Sequence, residues 1–574
     1  MENKLNSSAH YSTERQAAFS SLAVQTVDDT GKLVCNGLTI PHKNINFSEI
    51  PSNTHGDSID SFDTGFGDYL TDDQLNDDAA RFVGAIRKIK QRNPDYDICY
   101  KKMMGYVEKQ GVNKPTGSKK KKIDSMMKAS WWKSAIKKQD RLMHEHERRC
   151  AGLVSRNKSS YASKHARSMQ LAYEVSLEKY LKEKYLINES TGEIVSLWDL
   201  VQHTNFNSVV KLAEVTKRLD GMQDQAAVEG MVARFITITC PSKYHRFVAD
   251  KKDKSKDRFN KKFDKTLTSR DAKNHLSKVV RLAHKTLSNK GIPVIGCRIL
   301  ESHHDGCPHL HAVVYAKPDQ IDAVVTAYKS EALRVDGGER GAENHRFDCK
   351  DMYEGGAVGY LMKYLTKNLN QESDLVDDQT GKSYSDSNCG IAAWVRLNSI
   401  VQFAFWGDCG IGVFRILYKL DKNQTNTTIL SMMQAATDND YGAYIALQGG
   451  LGTKFEDRAV KAHRTVTGRN ADGEEIKKIT HLDVSGELIE IGGDKWSESP
   501  LTVASETRSL EVMQRLPKTP SEPIESTVSA SDLSHDVLDG FEDYVDDIER
   551  DDYQSWADYA GAGSNENIMI VGST

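Results

Sequence analysis

The 574-residue chain contains nine cysteines, and no two of them form a C-x-x-C pair. An odd, scattered set argues for reduced thiols in a cytosol-like compartment and against a zinc ribbon or disulfide scaffold. No apolar run reaches the roughly 18–20 residues needed to cross a bilayer, so no membrane partner is expected. The opening, MENKLNSSAHYSTERQ, has no signal-peptide core. There is no G-x-x-x-x-G-K-[ST]. The nearest glycine cluster, GGLGTK at 449–454, lacks that spacing, which argues against an ATP-driven motor or a bound nucleotide cofactor. No internal repeat is visible.

What is present is charge, unevenly distributed. The net charge is −4. Residues 531–552 hold ten acids against Arg550, and residues 57–78 hold eight Asp and no base. Without those two stretches the remainder carries +13. A basic body between acidic flanks fits a phosphate-backbone partner.

The composition divides the chain into five parts. Residues 1–78 are an acidic polar leader that reads as disordered. Residues 79–224 are helical in pattern and basic, with Lys119, Lys120, Lys121 and Lys122 followed by Trp131 and Trp132. Basic residues interleaved with aromatics can grip phosphates and stack on bases. Residues 225–410 carry the candidate chemistry, residues 411–500 form a small mixed region, and residues 501–574 read as an acidic disordered tail.

Within 225–410, RFITITC (234–240) alternates and is β-branched, which predicts a strand. A helix is predicted over 271–290. Asp271 can cap its start, Leu276, Val279, Val280, Ala283 and Leu287 form its stripe, and Gly291 and Pro293 stop it. Two strand-like runs follow at 293–303 and 308–316, separated by the turn signal Asp305-Gly306. WVRLNSIVQFAFWG (394–407) reads as a further strand or helix edge. This order predicts an α+β fold with an antiparallel sheet and flanking helices.

The stretch ESHHDGCPHLH (301–311) suits a metal. His309 and His311 alternate along a strand, so both imidazoles leave one face. The turn folds the preceding strand beside them and brings Glu301 or His303 onto that face, depending on register. Two imidazoles with a third ligand leave positions open for water and substrate, the pattern of a catalytic site. The mixed donor set suits a divalent cation such as Mg²⁺ or Mn²⁺.

The stretch AVGYLMKYLTKNLN (357–370) reads as an amphipathic helix. Val358, Leu361, Met362, Leu365 and Leu369 share its apolar stripe. Tyr360 and Tyr364 lie on the other side, roughly 6 Å apart along the axis. Lys363 and Lys367 sit beside them. Phenol hydroxyls among ammonium groups suit attack on a phosphate that the lysines attract.

P-H-L-H followed by Y-x-x-x-Y resembles the HUH endonuclease superfamily of rolling-circle initiators. RFITITCPSKYH (234–245), ESHHDGCPHLHAVVYA (301–316) and GYLMKYLTKN (359–368) together resemble the replication gene A proteins of tailed temperate phages. WWKSAIKKQDR (131–141), SSYAS (159–163) and DYGAYIALQGG (440–450) extend the likeness over roughly 125–455. The chain departs at Leu310, where many of these proteins have Trp, and in a shorter segment between the TCPS strand and the long helix.

The resemblance implies an HUH/Rep-like, ferredoxin/RRM-like central sheet and a site-specific single-strand DNA nickase acting in the bacterial host cytoplasm. It makes His309, His311 and Glu301 metal ligands, preferring Glu301 to His303, and Tyr360 and Tyr364 the catalytic pair. Implied partners are the single-stranded replication origin, a host helicase and a DNA polymerase. A two-tyrosine transposase or plasmid relaxase could use the same site. A non-catalytic, metal-stabilised DNA-binding protein is the alternative from another class.

Overall fold

The computed structural model describes residues 69–202, 207–249, 257–352, 384–418, 423–469 and 475–492, with residues 25–27, 33–35, 38–39, 204, 359, 361, 420–421 and 496–498. The acidic tail and most of the polar leader lie outside the described residues.

The leader ends earlier than its charge pattern suggests. Helix α1 (Asp72–Arg92) begins inside the acidic run, because Thr71 and Gln74 form a capping box and Asp72 and Asp73 sit in the first turn. Carboxylates there satisfy the positive end of the helix dipole. Leu75, Ala79, Phe82, Val83 and Ile86 turn inward from it. They meet helices α2 (Tyr96–Lys109), α3 (Lys119–Met126) and α4 (Ala129–Cys150) in one core. Two further helices, α5 (Lys164–Glu183) and α6 (Ser208–Val228), lead to the sheet.

The sheet is built from β1 (Val232–Thr239), β2 (Ile295–Ser302), β3 (Pro308–Ala316), β4 (Phe347–Asp351) and β5 (Phe403–Trp406). All pairings are antiparallel and the order is β4-β1-β3-β2-β5. Helix α7 (Ser269–Asn289) joins β1 to β2, and α8 (Ile321–Leu333) joins β3 to β4. The fold class is α+β, as the sequence pattern predicts.

Alternation along each strand gives the sheet two different faces. Ile236, Ile238, Leu300, Leu310, Ala312 and Val314 face α7 and α8. All five residues of the predicted α7 stripe are buried there. The cap differs: Thr268 is the N-cap, and Asp271 is the third helical residue, closing a capping box back onto Thr268. The threonine hydroxyl accepts from the Asp271 N–H while the aspartate carboxylate accepts from the cap's own amide.

The opposite face carries Phe235, Cys297, Ile299, Val313 and Tyr315. It is covered by α6 through Val215, Leu219 and Met222, and by helices from beyond residue 410, including Phe414, Met432 and Tyr444. Val460 and Leu482, from the hairpin Val460–Arg469 and Glu475–Val484, join the same core. The compositional boundaries at 224/225 and 410/411 therefore do not separate cores, because this face would lie bare without the flanking segments. Within β2, Gly296 allows the strands to close: a Cβ there would stand 2.1 Å from the Val313 carbonyl oxygen. Among the described residues no helix is long and apolar enough to cross a membrane.

Candidate functional site

The hairpin register decides which side chains meet. His309 pairs with Glu301 and His311 with Ile299, so Glu301 shares a face with both histidines. Oε2 of Glu301 lies 3.3 Å from Nε2 of His311. Nδ1 of that ring lies 3.2 Å from the Thr237 hydroxyl on β1. His311 is thus fixed at both nitrogens, and Phe235 stacks on it at 5.6 Å. Glu301 is 4% exposed and His311 6%. The His309 ring stacks on His311 at 4.6 Å, and its Nδ1 meets Nε2 of His303 at 2.5 Å. Burial pushes His303 down to about 3, which keeps its imidazole neutral. Both third-ligand candidates therefore reach the histidine pair. Glu301 does so through strand register, and His303 from just past the strand end.

Among the described residues no three such groups are closed around one point. The donor set nevertheless fits a divalent cation. Two ligand atoms each about 2.1 Å from one ion stand roughly 3.0–3.4 Å apart between octahedral and tetrahedral angles. The Glu301–His311 separation of 3.3 Å falls in that range. The Thr237 contact at the far nitrogen of His311 is the kind of outer support that orients a ligating imidazole.

The turn between the two strands is fastened from several directions. Gly306 takes φ 78°, and Cys307 N–H donates to Oδ1 of Asp305 at 3.0 Å. Oδ2 of Asp305 accepts from Arg246 N–H at 2.9 Å. Arg149, from α4, donates through Nε to the Asp305 carbonyl at 2.6 Å and through its guanidinium to the Tyr244 carbonyl. Tyr161 N–H donates to the His304 carbonyl, and Trp394 Nε1–H to the Gly306 carbonyl. Asp305 is 1% exposed, and its carboxyl stays well below the usual carboxylate range. Burial alone would raise it, but the His245 and Arg149 charges outweigh that cost. Sequence motifs scattered over more than 200 positions thus converge on this one turn. Asp305 is legible as a turn residue, but its contacts and those of Thr237, Arg149 and Trp394 escape a reading by motif. The left-handed backbone of Tyr161, at φ 73°, gives no sequence signal either.

Gly359 and Leu361 of the tyrosine stretch are helical. Leu361 is fully buried, in the cluster of Phe235, Cys297, Ile299 and Val313. That is the face of the sheet from which Glu301, His309 and His311 project. Tyr360, Tyr364, Lys363 and Lys367 lie outside the described residues.

A family model described as bacteriophage replication gene A protein matches residues 71–372, more than half of the chain. The chain belongs to this family. The match runs from the cap of α1 past both tyrosines. The gene A family member is 31% identical over 371 residues to the replication gene A protein of Escherichia phage P2, covering 63% of this chain and 49% of that one. It is 30% identical over 372 residues to the probable replication protein P12 of Pseudoalteromonas phage PM2, covering 62% and 56%. A probable replication endonuclease from a prophage-like region of Salmonella paratyphi A is 26% identical over 345 residues, covering 57% and 42%. The chain spans about half the length of these curated relatives. No solved structure matches it.

In this gene A family member the basic helical region differs from expectation at its tryptophans. Trp132 is fully buried, donates Nε1–H to the Met126 carbonyl at 2.9 Å and lies edge-on to Phe82 and Tyr106. It offers no face to a base. Trp131 is half-buried against it. The helical amphipathicity that places Trp132 inward outweighs the basic neighbours as a guide. Trp132→Ala should cost about 3–5 kcal/mol of stability, read as a lowered midpoint of thermal or denaturant unfolding. Lys119 and Lys120 are exposed, and Lys119 pairs with Asp97 at 2.8 Å.

Proposed function

We propose that this chain is a site-specific single-strand DNA endonuclease and ligase that initiates rolling-circle replication of a phage genome. The observation that carries the reading is the burial of Leu361 on the histidine face of the sheet. The residues flanking Leu361 in the sequence supply two phenol nucleophiles, and the face supplies the ligands of a divalent cation. The names of relatives, replication gene A protein and probable replication endonuclease, support the same class of activity. The connectivity β1-α7-β2-β3-α8-β4 with sheet order β4-β1-β3-β2 supports the HUH/Rep-like, ferredoxin/RRM-like label.

In the mechanism, one tyrosine hydroxyl attacks the scissile phosphate. The bond from phosphorus to the 3′ oxygen breaks, a 5′-phosphotyrosine forms and a 3′-OH is released as a primer. The second tyrosine later attacks the regenerated junction, and the 3′-OH freed there displaces the first tyrosine to close the circle. Each step exchanges one phosphodiester for another, so no nucleotide cofactor is consumed. His309, His311 and Glu301, with His303 beside them, would hold Mg²⁺ or Mn²⁺. A cation bound there would supply polarisation of a phosphodiester oxygen and orientation of the scissile bond. Lys363 and Lys367 neutralise charge on the phosphate. Residues 69–150 carry 20 Lys and Arg against 11 Asp and Glu, and all the bases but the buried Arg148 and Arg149 are at least partly exposed, a basic surface suited to the flanking backbone. Partners are the origin strand, a host helicase and a DNA polymerase, in the bacterial host cytoplasm.

The test uses a single-stranded origin oligonucleotide labelled at its 3′ end, incubated with the full chain and Mg²⁺ and run on a denaturing gel. A labelled protein–DNA adduct is expected. EDTA added before the DNA should prevent its formation and excess Mn²⁺ should restore it. Tight origin binding with no adduct in the wild type would instead mark a non-catalytic DNA-binding protein.

A further inference from the structure

Across the histidine face one row of paired residues runs Thr237, His311, Ile299, Phe403. Phe403 therefore lies on the same side of the sheet as His311, two strand spacings or about 10 Å away. It is half-buried on the edge strand β5. Lys211, in the first turn of α6, holds its ammonium 5.7 Å from the centre of the Phe403 ring. The topology explains why it arrives there. Helix α6 ends at Val228 and the chain turns directly into β1 at Val232. The helix runs back along the sheet, so its first turn returns to the end where β1 meets His309. Leu212, next to Lys211, packs on the same core.

We infer that Lys211, positioned by Phe403, is a phosphate-backbone contact for the nucleotides next to the scissile position. The inference rests on the proposed nickase reading. A cation over an aromatic face is attracted to it and is held on a short list of geometries. Phe403 thus helps to order a flexible four-carbon stem and keeps its charge beside the row of residues that includes His311. The ligand is single-stranded DNA, recognised through its backbone charge and without base readout. Phe403 acts through Lys211 and is a positioning residue.

The experiment measures binding of the single-stranded origin oligonucleotide by the full chain over a series of salt concentrations, alongside steady-state cleavage. Lys211→Gln should weaken binding at least about fivefold and lower the slope of log K against log salt by about 0.7, one phosphate contact on a single strand. The loss should fall on KM and not on kcat. Lys211→Arg should restore both the affinity and the slope. Phe403→Leu, which keeps an apolar side chain in the core, should weaken binding in the same direction with unfolding unchanged. A wild-type affinity and salt slope in Lys211→Gln would overturn the inference while leaving the nickase reading intact. Binding without a covalent adduct in the wild type would remove the nickase reading, yet the salt slope of Lys211→Gln would still report the contact. Failure of the wild type to bind the strand would overturn both.

Discussion

Replacing both Tyr360 and Tyr364 with phenylalanine is expected to abolish the covalent protein–DNA adduct. The change removes two hydroxyl oxygens and keeps two rings, so the helix pattern and the burial of Leu361 are retained. Loss of an attacking group and everything that depends on it lowers turnover by about 10⁴-fold or more in enzymes of comparable design. Origin binding should survive, because the backbone contacts and the histidine face are untouched. Each single variant should still form an adduct through the remaining phenol but fail to close circles. The readout is the same denaturing gel, joined to an assay for circular product. An adduct that persists in the double variant would place the nucleophile elsewhere and refute the assignment.

Asp305→Ala should be the most damaging change to the scaffold. The carboxylate is 1% exposed, accepts from the Arg246 and Cys307 amides, and faces Arg149 at 3.8 Å and His245 at 3.5 Å. Removing it takes the counter-charge from a buried guanidinium, which keeps its two carbonyl acceptors, and leaves two amide donors without their acceptor. Breaking a buried ion pair from one side costs about 3–5 kcal/mol. That is a large share of the stability of an ordinary domain. Denaturant unfolding should show a lower midpoint with the slope unchanged. Asp305→Asn keeps one acceptor oxygen, so it should lose less. If the alanine variant is as stable as the wild type, the turn is not held by this carboxylate. The same turn carries His303 and leads into His309, so Asp305→Asn should also weaken Mn²⁺ binding measured by calorimetry.

Much of this arrangement is legible in the residues themselves. Alternation at 308–316 puts His309 and His311 on one side and Leu310, Ala312 and Val314 on the other, and the sheet keeps that division. The stripe from Leu276 to Leu287 is buried as its spacing predicts. WVRLNSIVQFAFWG, which reads equally as strand or helix edge, is both: a helix runs to Asn398 and a strand starts at Phe403. Short apolar runs do not separate those two states by pattern alone. Trp132 shows the opposite failure. Its basic neighbours suggest a ligand, while its helical position sends it into the core.

By itself the sequence determined the antiparallel strand pair, the face that the two histidines share and the amphipathic helices, because alternation and helical periodicity are local properties of the chain. It also displayed the paired tyrosines in a helix-like pattern. Only the tertiary structure decided that Glu301 and His303 both reach the histidines, since that depends on register and on the turn. It alone decided that Arg149, Tyr161, Arg246 and Trp394 meet at Asp305 and Gly306, and that Lys211 returns to Phe403. These contacts join positions up to some 200 residues apart. They form because burying the two faces of one sheet forces distant segments together, and no pattern within a short window records such a meeting.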